Sequence, residues 1–402
     1  MKKTILSIGL CLTLLLFGCA QRGSTSPEAT STTSPTQTSD LSEPGETEAT
    51  PIAAEPTNWS DIQGKIKGMY PAGGSKILAF ADQISLYDLA TGKIVGTASE
   101  EALSTVRCWT LDNGYVIAGE NDVQNSDGGS GFVEESSGPQ FRVIFYDASL
   151  KARSELDLSK LLEDEGALMF TESLAFSSDG NCIAYATMTG VYLYDRLQDK
   201  RTTLIDLTAE DEKARFGICS VEQVGFTNGN KSLAFKSQSF DVPAVIGKSS
   251  FDTIGTINTD GTGLTSQTVD GYAMKELSAY DSQLLIAEDF KTADGRVMVI
   301  DNKSGAKQIF NLSDNKEGGN IYGSDTGLYF ASSISNKTGW TIRVYDTQTG
   351  KLVEEQNISN DGQELYGAND PVLSVLDKSR TCIVLLGSKQ ESVDTKIEMF
   401  SF

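Results

Sequence analysis

Apolar and polar positions along this chain fall into three regimes. Residues 5–17 form an almost unbroken apolar run behind the charged pair Lys2 and Lys3. Residues 20–57 carry six Ser, nine Thr and five Pro without one aromatic side chain. Such a stretch lacks the apolar surface needed to offset its ordering entropy. Beyond it, short apolar segments recur. Seven end in an aromatic or aliphatic residue followed by Asp or another small polar residue: 84–88 (ISLYD), 143–147 (VIFYD), 191–195 (VYLYD), 254–258 (IGTIN), 297–301 (VMVID), 342–346 (IRVYD) and 397–401 (IEMFS). Most alternate apolar with other residues and are rich in β-branched and aromatic types, the signature of half-buried antiparallel strands.

Upstream of each copy lies a more uniformly apolar segment, at 77–81, 115–119, 182–187, 232–236, 283–288, 327–332 and 382–387. Continuous apolarity predicts strands buried on both faces. Tight polar turns such as Asp112-Asn113-Gly114 and Asn228-Gly229-Asn230 precede most of them and predict a hairpin to an earlier strand. A further strand follows in six repeats, at 93–98, 153–158, 201–207, 264–269, 306–312 and 351–358. The seven copies start 43 to 63 residues apart, which fits four short strands plus loops. The prediction is an all-β fold, a seven-bladed β-propeller of four-stranded antiparallel blades over residues 58–402. The sequence ends before a fourth strand of the seventh repeat, so closure is expected from an N-terminal strand at residues 59–62.

Asp88 and Gly92, Asp301 and Gly305, and Asp346 and Gly350 share an Asp-x-x-x-Gly spacing. A carboxylate there accepts turn amides while glycine takes positive φ, so these aspartates are expected to form turns and not to catalyse.

The run Leu16-Phe17-Gly18-Cys19 resembles the lipobox of bacterial lipoproteins. The resemblance implies a signal peptide over residues 1–18 and a thioether-linked diacylglycerol on Cys19. Residues 19–57 then form the lipidated cysteine and a disordered tether. Ala20 stands where the family's inner-membrane retention signal has Asp, and the tether resembles those of single-membrane organisms. Together they imply an extracytoplasmic protein anchored to the cell membrane by lipid alone. Within the repeats, residues 176–185 (FSSDGNCIAY) and 257–263 (INTDGTG) resemble the propeller of the Tol-system translocation protein. Residues 345–351 (YDTQTGK) resemble WD-repeat, YVTN-type and quinoprotein-like propellers. These likenesses imply a scaffold; they do not assign an activity.

Composition narrows the chemistry. The chain has no histidine and a formal net charge of −22. That excludes Ser-His-Asp and Cys-His catalysis and His-ligated metals. It also argues against nucleic acid, whose phosphates need Lys and Arg. No cofactor is expected, and the domain is expected to be monomeric. Cys108, Cys182, Cys219 and Cys382 are expected to be small buried hydrophobes, because the repeat register brings no pair within disulfide reach.

In this topology the second-to-third-strand loops and the inter-blade connections share one face. All the long segments fall there: 120–140, 159–171, 208–219, 236–252 and 359–370. That face is strongly acidic, whereas the tight-turn face is close to neutral. Candidate partner-binding residues are Glu120, Asp122 and Asp127 beside the run Gly128-Gly129-Ser130-Gly131, and the triplets Glu163, Asp164, Glu165 and Glu210, Asp211, Glu212. Calcium is the cation the first group would take, although its spacing matches no EF-hand. Trp109 and Trp340 are expected in packing. Two readings remain open at this level. One is a non-enzymatic scaffold docking a protein, peptide or cell-wall component on the acidic loop face. The other is a carbohydrate hydrolase or lyase using paired carboxylates from different blades.

Overall fold

A computed structural model describes residues 59–99, 103–121, 141–162, 168, 173–208, 218–239, 252–269, 271–288, 295–312, 321–362, 366, 370–387 and 394–402. The strands form seven antiparallel sheets in sequence order. Blade 1 is β1 (Gly68–Pro71), β2 (Lys76–Phe80), β3 (Ile84–Asp88) and β4 (Lys93–Ala98). Blade 2 is β5 (Leu103–Leu111), β6 (Gly114–Asn121), β7 (Phe141–Asp147) and β8 (Ala152–Asp157), followed by the short helix α1 (Ser159–Leu162). Blade 3 is β9 (Leu174–Phe176), β10 (Cys182–Ala186), β11 (Gly190–Asp195) and β12 (Lys200–Asp206). Blade 4 is β13 (Ile218–Thr227), β14 (Ser232–Ser239), β15 (Asp252–Asn258) and β16 (Thr265–Thr268). Blade 5 is β17 (Met274–Ala279), β18 (Gln283–Glu288), β19 (Val297–Asp301) and β20 (Lys307–Phe310). Blade 6 is β21 (Ile321–Gly323), β22 (Tyr329–Asn336), β23 (Gly339–Asp346) and β24 (Leu352–Ser359). Blade 7 has three strands, β25 (Val372–Leu376), β26 (Thr381–Leu386) and β27 (Lys396–Ser401). Among the described residues no helix is long and apolar enough to cross a membrane.

Burial explains the order within each blade. The second and third strands are nearly continuous buried runs, as in β2, β3, β18 and β26. Fourth strands such as β4 and β20 are largely exposed or half-buried. Seven apolar clusters fill the seven junctions between neighbouring blades, including blade 7 with blade 1.

Among the described residues no N-terminal strand pairs with blade 7, and residues 59–61, where one was expected, do not form a strand. Trp59–Asp61 is a 3-10 turn, with the Ile62 amide donating to the Trp59 carbonyl at 3.1 Å. Residues three apart eclipse on such a turn, and both Trp59 and Ile62 belong to the blade 7–blade 1 cluster. Trp59 packs on Tyr87 with ring centroids 4.9 Å apart. A strand would have pointed residues 59 and 62 to opposite faces. The ring instead closes by side chains: Leu376, Ile383 and Leu385 of blade 7 meet Met69, Ile77 and Tyr87 of blade 1. Each such burial contributes about 1.5–3 kcal/mol. The Ser374 hydroxyl also donates to the Met69 carbonyl at 2.9 Å.

The turns of one rim stitch the blades together. The Asp112 amide donates to the Ser178 carbonyl at 2.7 Å, the Asn228 amide to Asp281 O at 3.2 Å and the Asp325 amide to Val375 O at 3.1 Å. Side chains extend the girdle. Asn230 Oδ1 accepts the Ser178 amide at 3.0 Å, Asp281 Oδ1 accepts the Gly229 amide at 2.9 Å, and Gln283 Nε2 donates to Gly327 O at 2.6 Å. Third-to-fourth-strand turns on the same rim behave as expected. Asp301 Oδ1 accepts the Ser304 amide at 2.6 Å and Asp346 Oδ1 accepts the Thr349 amide at 2.7 Å, while Gly305 and Gly350 take φ of 69° and 65°.

Candidate functional site

The first strands of all seven blades surround one central cavity of about 610 Å³. These strands run in the same direction, from the long-connection face to the tight-turn rim, which fixes the depth of each lining residue. Arg107 of β5 and Glu276 of β17 enter the lining nearest the long-connection face, on blades 2 and 5. Trp109 and Phe226 line the wall deeper in. Ser178, Asn230 and Asp281 sit at the tight-turn end, where the inter-blade bonds already engage them.

Burial governs the titratable groups of this wall. Tyr70 is pushed up to about 12, first by burial and then by Cys108. Tyr322 is raised to about 12 by burial and by the Glu276 carboxylate, and its hydroxyl donates to Pro371 O at 2.9 Å. Burial alone holds the Cys108 thiol well above its ordinary range. A thiol kept protonated is a poor nucleophile. The wall therefore offers aromatic surface, neutral hydroxyls and three charged side chains, Arg107 on blade 2 and Glu276 and Asp281 on blade 5.

Among the described lining residues the carboxylates are Glu276 and Asp281. They lie five residues apart on one strand and its turn, roughly 16 Å at a strand rise of about 3.3 Å per residue. Glycoside hydrolysis uses carboxyls about 5 to 10 Å apart. Asp281 is also committed to the Gly229 amide. The arrangement suits binding and orientation better than acid–base work.

Glu120 lies in strand β6, opposite Ser104 and Phe141, and not in the loop expected for it. Asp122, Asp127, Glu163, Asp164, Glu165, Glu210, Asp211 and Glu212 lie outside the described residues, as does Cys19. Cys219, expected ahead of blade 4, is in its innermost strand β13. Cys108, Cys182 and Cys382 are free thiols. Trp340 is buried between blades 6 and 7, and Trp109 packs edge-on against Phe176 at 4.7 Å. Sequence reasoning did not single out Arg107, Glu276, Tyr70 or Tyr322. The available signal was a charge inside a segment of strand composition, Val106-Arg107-Cys108-Trp109.

No family model matches the chain, and no curated relative matches it either. A solved structure that is similar is the β-propeller domain of Cps50 (Swd1) from Myceliophteria thermophila. Its likeness covers 84% of this chain and 99% of that one, at 14% identity and a TM-score of 0.50. At that identity the shared feature is the fold. The fold is consistent with a protein-binding scaffold and selects no ligand.

Proposed function

We propose that this chain is a non-enzymatic binding scaffold, a surface-anchored bacterial lipoprotein that docks a protein, peptide or cell-wall component on its acidic long-connection face. The asymmetry of the two rims carries this reading. On one rim the turns are short and their amides and side chains are tied between blades. In this reading the other rim takes the long acidic connections, most of whose residues lie outside those described, and connections on rigid scaffolds are where binding residues concentrate. The cavity contributes an aromatic wall with Arg107 and Glu276 nearest that face. In this reading Cys19 carries the lipid and residues 20–57 hold the wheel away from the bilayer.

The test compares partner capture by the full chain with capture by a variant in which residues 122–140 are replaced by a short Gly-Ser link. Partners should be lost from the variant at ordinary salt. Retention of every partner would overturn docking on this face. Separately, Cys19→Ala should shift the chain from the membrane to the soluble fraction, and an unchanged distribution would refute the anchor.

A further inference from the structure

The tight-turn rim holds a carboxylate pair, Asp325 and Asp377, that takes no part in docking on the opposite face. Asp325 lies in the turn between β21 and β22 of blade 6, and Asp377 in the turn between β25 and β26 of blade 7. The Asp377 amide donates to Asp325 Oδ1 at 2.9 Å. Asp377 Oδ2 accepts the Thr326 amide at 2.9 Å and the Thr326 hydroxyl. Asp377 is 8% exposed, yet its Oδ1 is buried with no hydrogen-bond donor. A buried carboxylate oxygen without a partner is costly, and two carboxylates in mutual reach cannot both stay ionised cheaply.

Among the described residues no Lys or Arg makes an ion pair with either carboxylate. Tyr280 of blade 5 faces both carboxylates, and Glu276 acts on Tyr280 and Tyr322. In Asp377's own turn, the Arg380 guanidinium lies over the Tyr329 and Phe402 rings at 5.3 and 5.7 Å. Lys378 runs along Gly74 of blade 1. The carboxyl of Asp325 is held up at about 6, by burial first and then by Asp377.

We infer that Asp325 and Asp377 form a proton-operated clasp between blades 6 and 7. In its closed form a proton on the Asp325 carboxyl is shared with the Asp377 carboxylate and supplies the missing donor. When that proton leaves to water, two adjacent carboxylates repel across the junction next to the three-stranded closing blade. The sign follows from the raised folded-state value. Stabilisation is complete below about pH 4, where Asp325 is protonated folded or unfolded, and is lost as pH rises toward and through about 6. The inference stands independently of the docking reading, because it concerns the opposite rim.

The experiment is thermal unfolding of the full chain from pH 4 to 8, wild type against Asp325→Asn, whose amide is a permanent donor. The two should melt together near pH 4. Wild type should fall below the variant by roughly 2 °C or more at pH 7.5, with the gap opening around pH 6. A gap independent of pH, or one largest in acid, would overturn the clasp. So would calcium closing the gap at pH 7.5 in wild type alone, because the pair would then be a cation site. Should the variant fail to fold, a carbon-13 carboxyl titration of wild-type Asp325 decides: a midpoint near 6 supports the clasp, one near 4 overturns it.

Discussion

Replacing Glu288 by alanine leaves Arg296 without its main partner at the end of the β18–β19 hairpin. Glu288 is fully buried. Its carboxylate accepts the Arg296 guanidinium at 2.6 Å on Oε1 and 2.8 Å on Oε2, and Oε2 also takes the Arg296 amide at 2.8 Å. The guanidinium further donates to Gly271 O and stands 5.3 Å from the Tyr272 ring. One ion pair thus ties the hairpin to the connection entering blade 5. Removing one partner of a buried pair costs about 3–5 kcal/mol. The Arg296 side chain is 22% exposed, so water can reclaim part of its charge and the lower end, about 3 kcal/mol, is expected. Glu288→Gln keeps the shape and one acceptor and should cost less, about 1.5–3 kcal/mol. Equilibrium urea unfolding reads both. A cost below about 1 kcal/mol for Glu288→Ala at unchanged m-value would refute the claim that this pair holds the junction.

Further outcomes follow from the turns and the closing joint. Gly350→Ala should destabilise by more than Gly305→Ala, although both sit at the same turn position. A Cβ on Gly350 would stand 2.2 Å from Phe310 Cδ1, whereas nothing lies within 4 Å at Gly305. Calorimetry should give about 1 kcal/mol at Gly305 from backbone strain and an added ~1–3 kcal/mol at Gly350 from overpacking; equal costs would contradict this. The Asp147 carboxyl is held down to about 2, first by the Ser149 hydroxyl and then by the Lys151 amide. Its stabilising effect is present above about pH 4 and fades as pH falls through about 2. A carboxyl NMR titration with a midpoint near 4 would refute that environment. Trp59→Ala should cost about 2–3 kcal/mol in unfolding by loosening the blade 7–blade 1 cluster. No loss would show that the 59–61 turn is ornamental to closure.

The wheel was legible because burial on both faces writes itself into composition. The strands at 84–88, 283–288 and 297–301 coincide with the segments read from apolarity alone. Asp-x-x-x-Gly spacing marked turns for a local reason, since carboxylate and glycine serve the same few residues. Inner strands were harder. β9 has three residues, and β17 reads Met-Lys-Glu-Leu-Ser-Ala because its strand borders the cavity as well as a neighbouring blade. The residues at 59–62 looked like a strand because closure demanded one, yet Trp59 and Ile62 stand at the spacing of a 3-10 turn. Contacts between blades left no trace in the pattern. Asp325 and Asp377 lie 52 residues apart, and only the ring brings them together.

The working face can be tested with side chains whose exposure is known. Met188 and Val372 stand at the long-connection end, 64% and 42% exposed; Leu197 and Leu328 stand on the tight-turn rim, 77% and 60% exposed. A photo-crosslinking amino acid placed at each site in turn, on intact cells, reports which rim meets a partner. Discrete adducts from positions 188 and 372, with none from 197 and 328, are the predicted result. Adducts from the tight-turn rim alone would contradict the account.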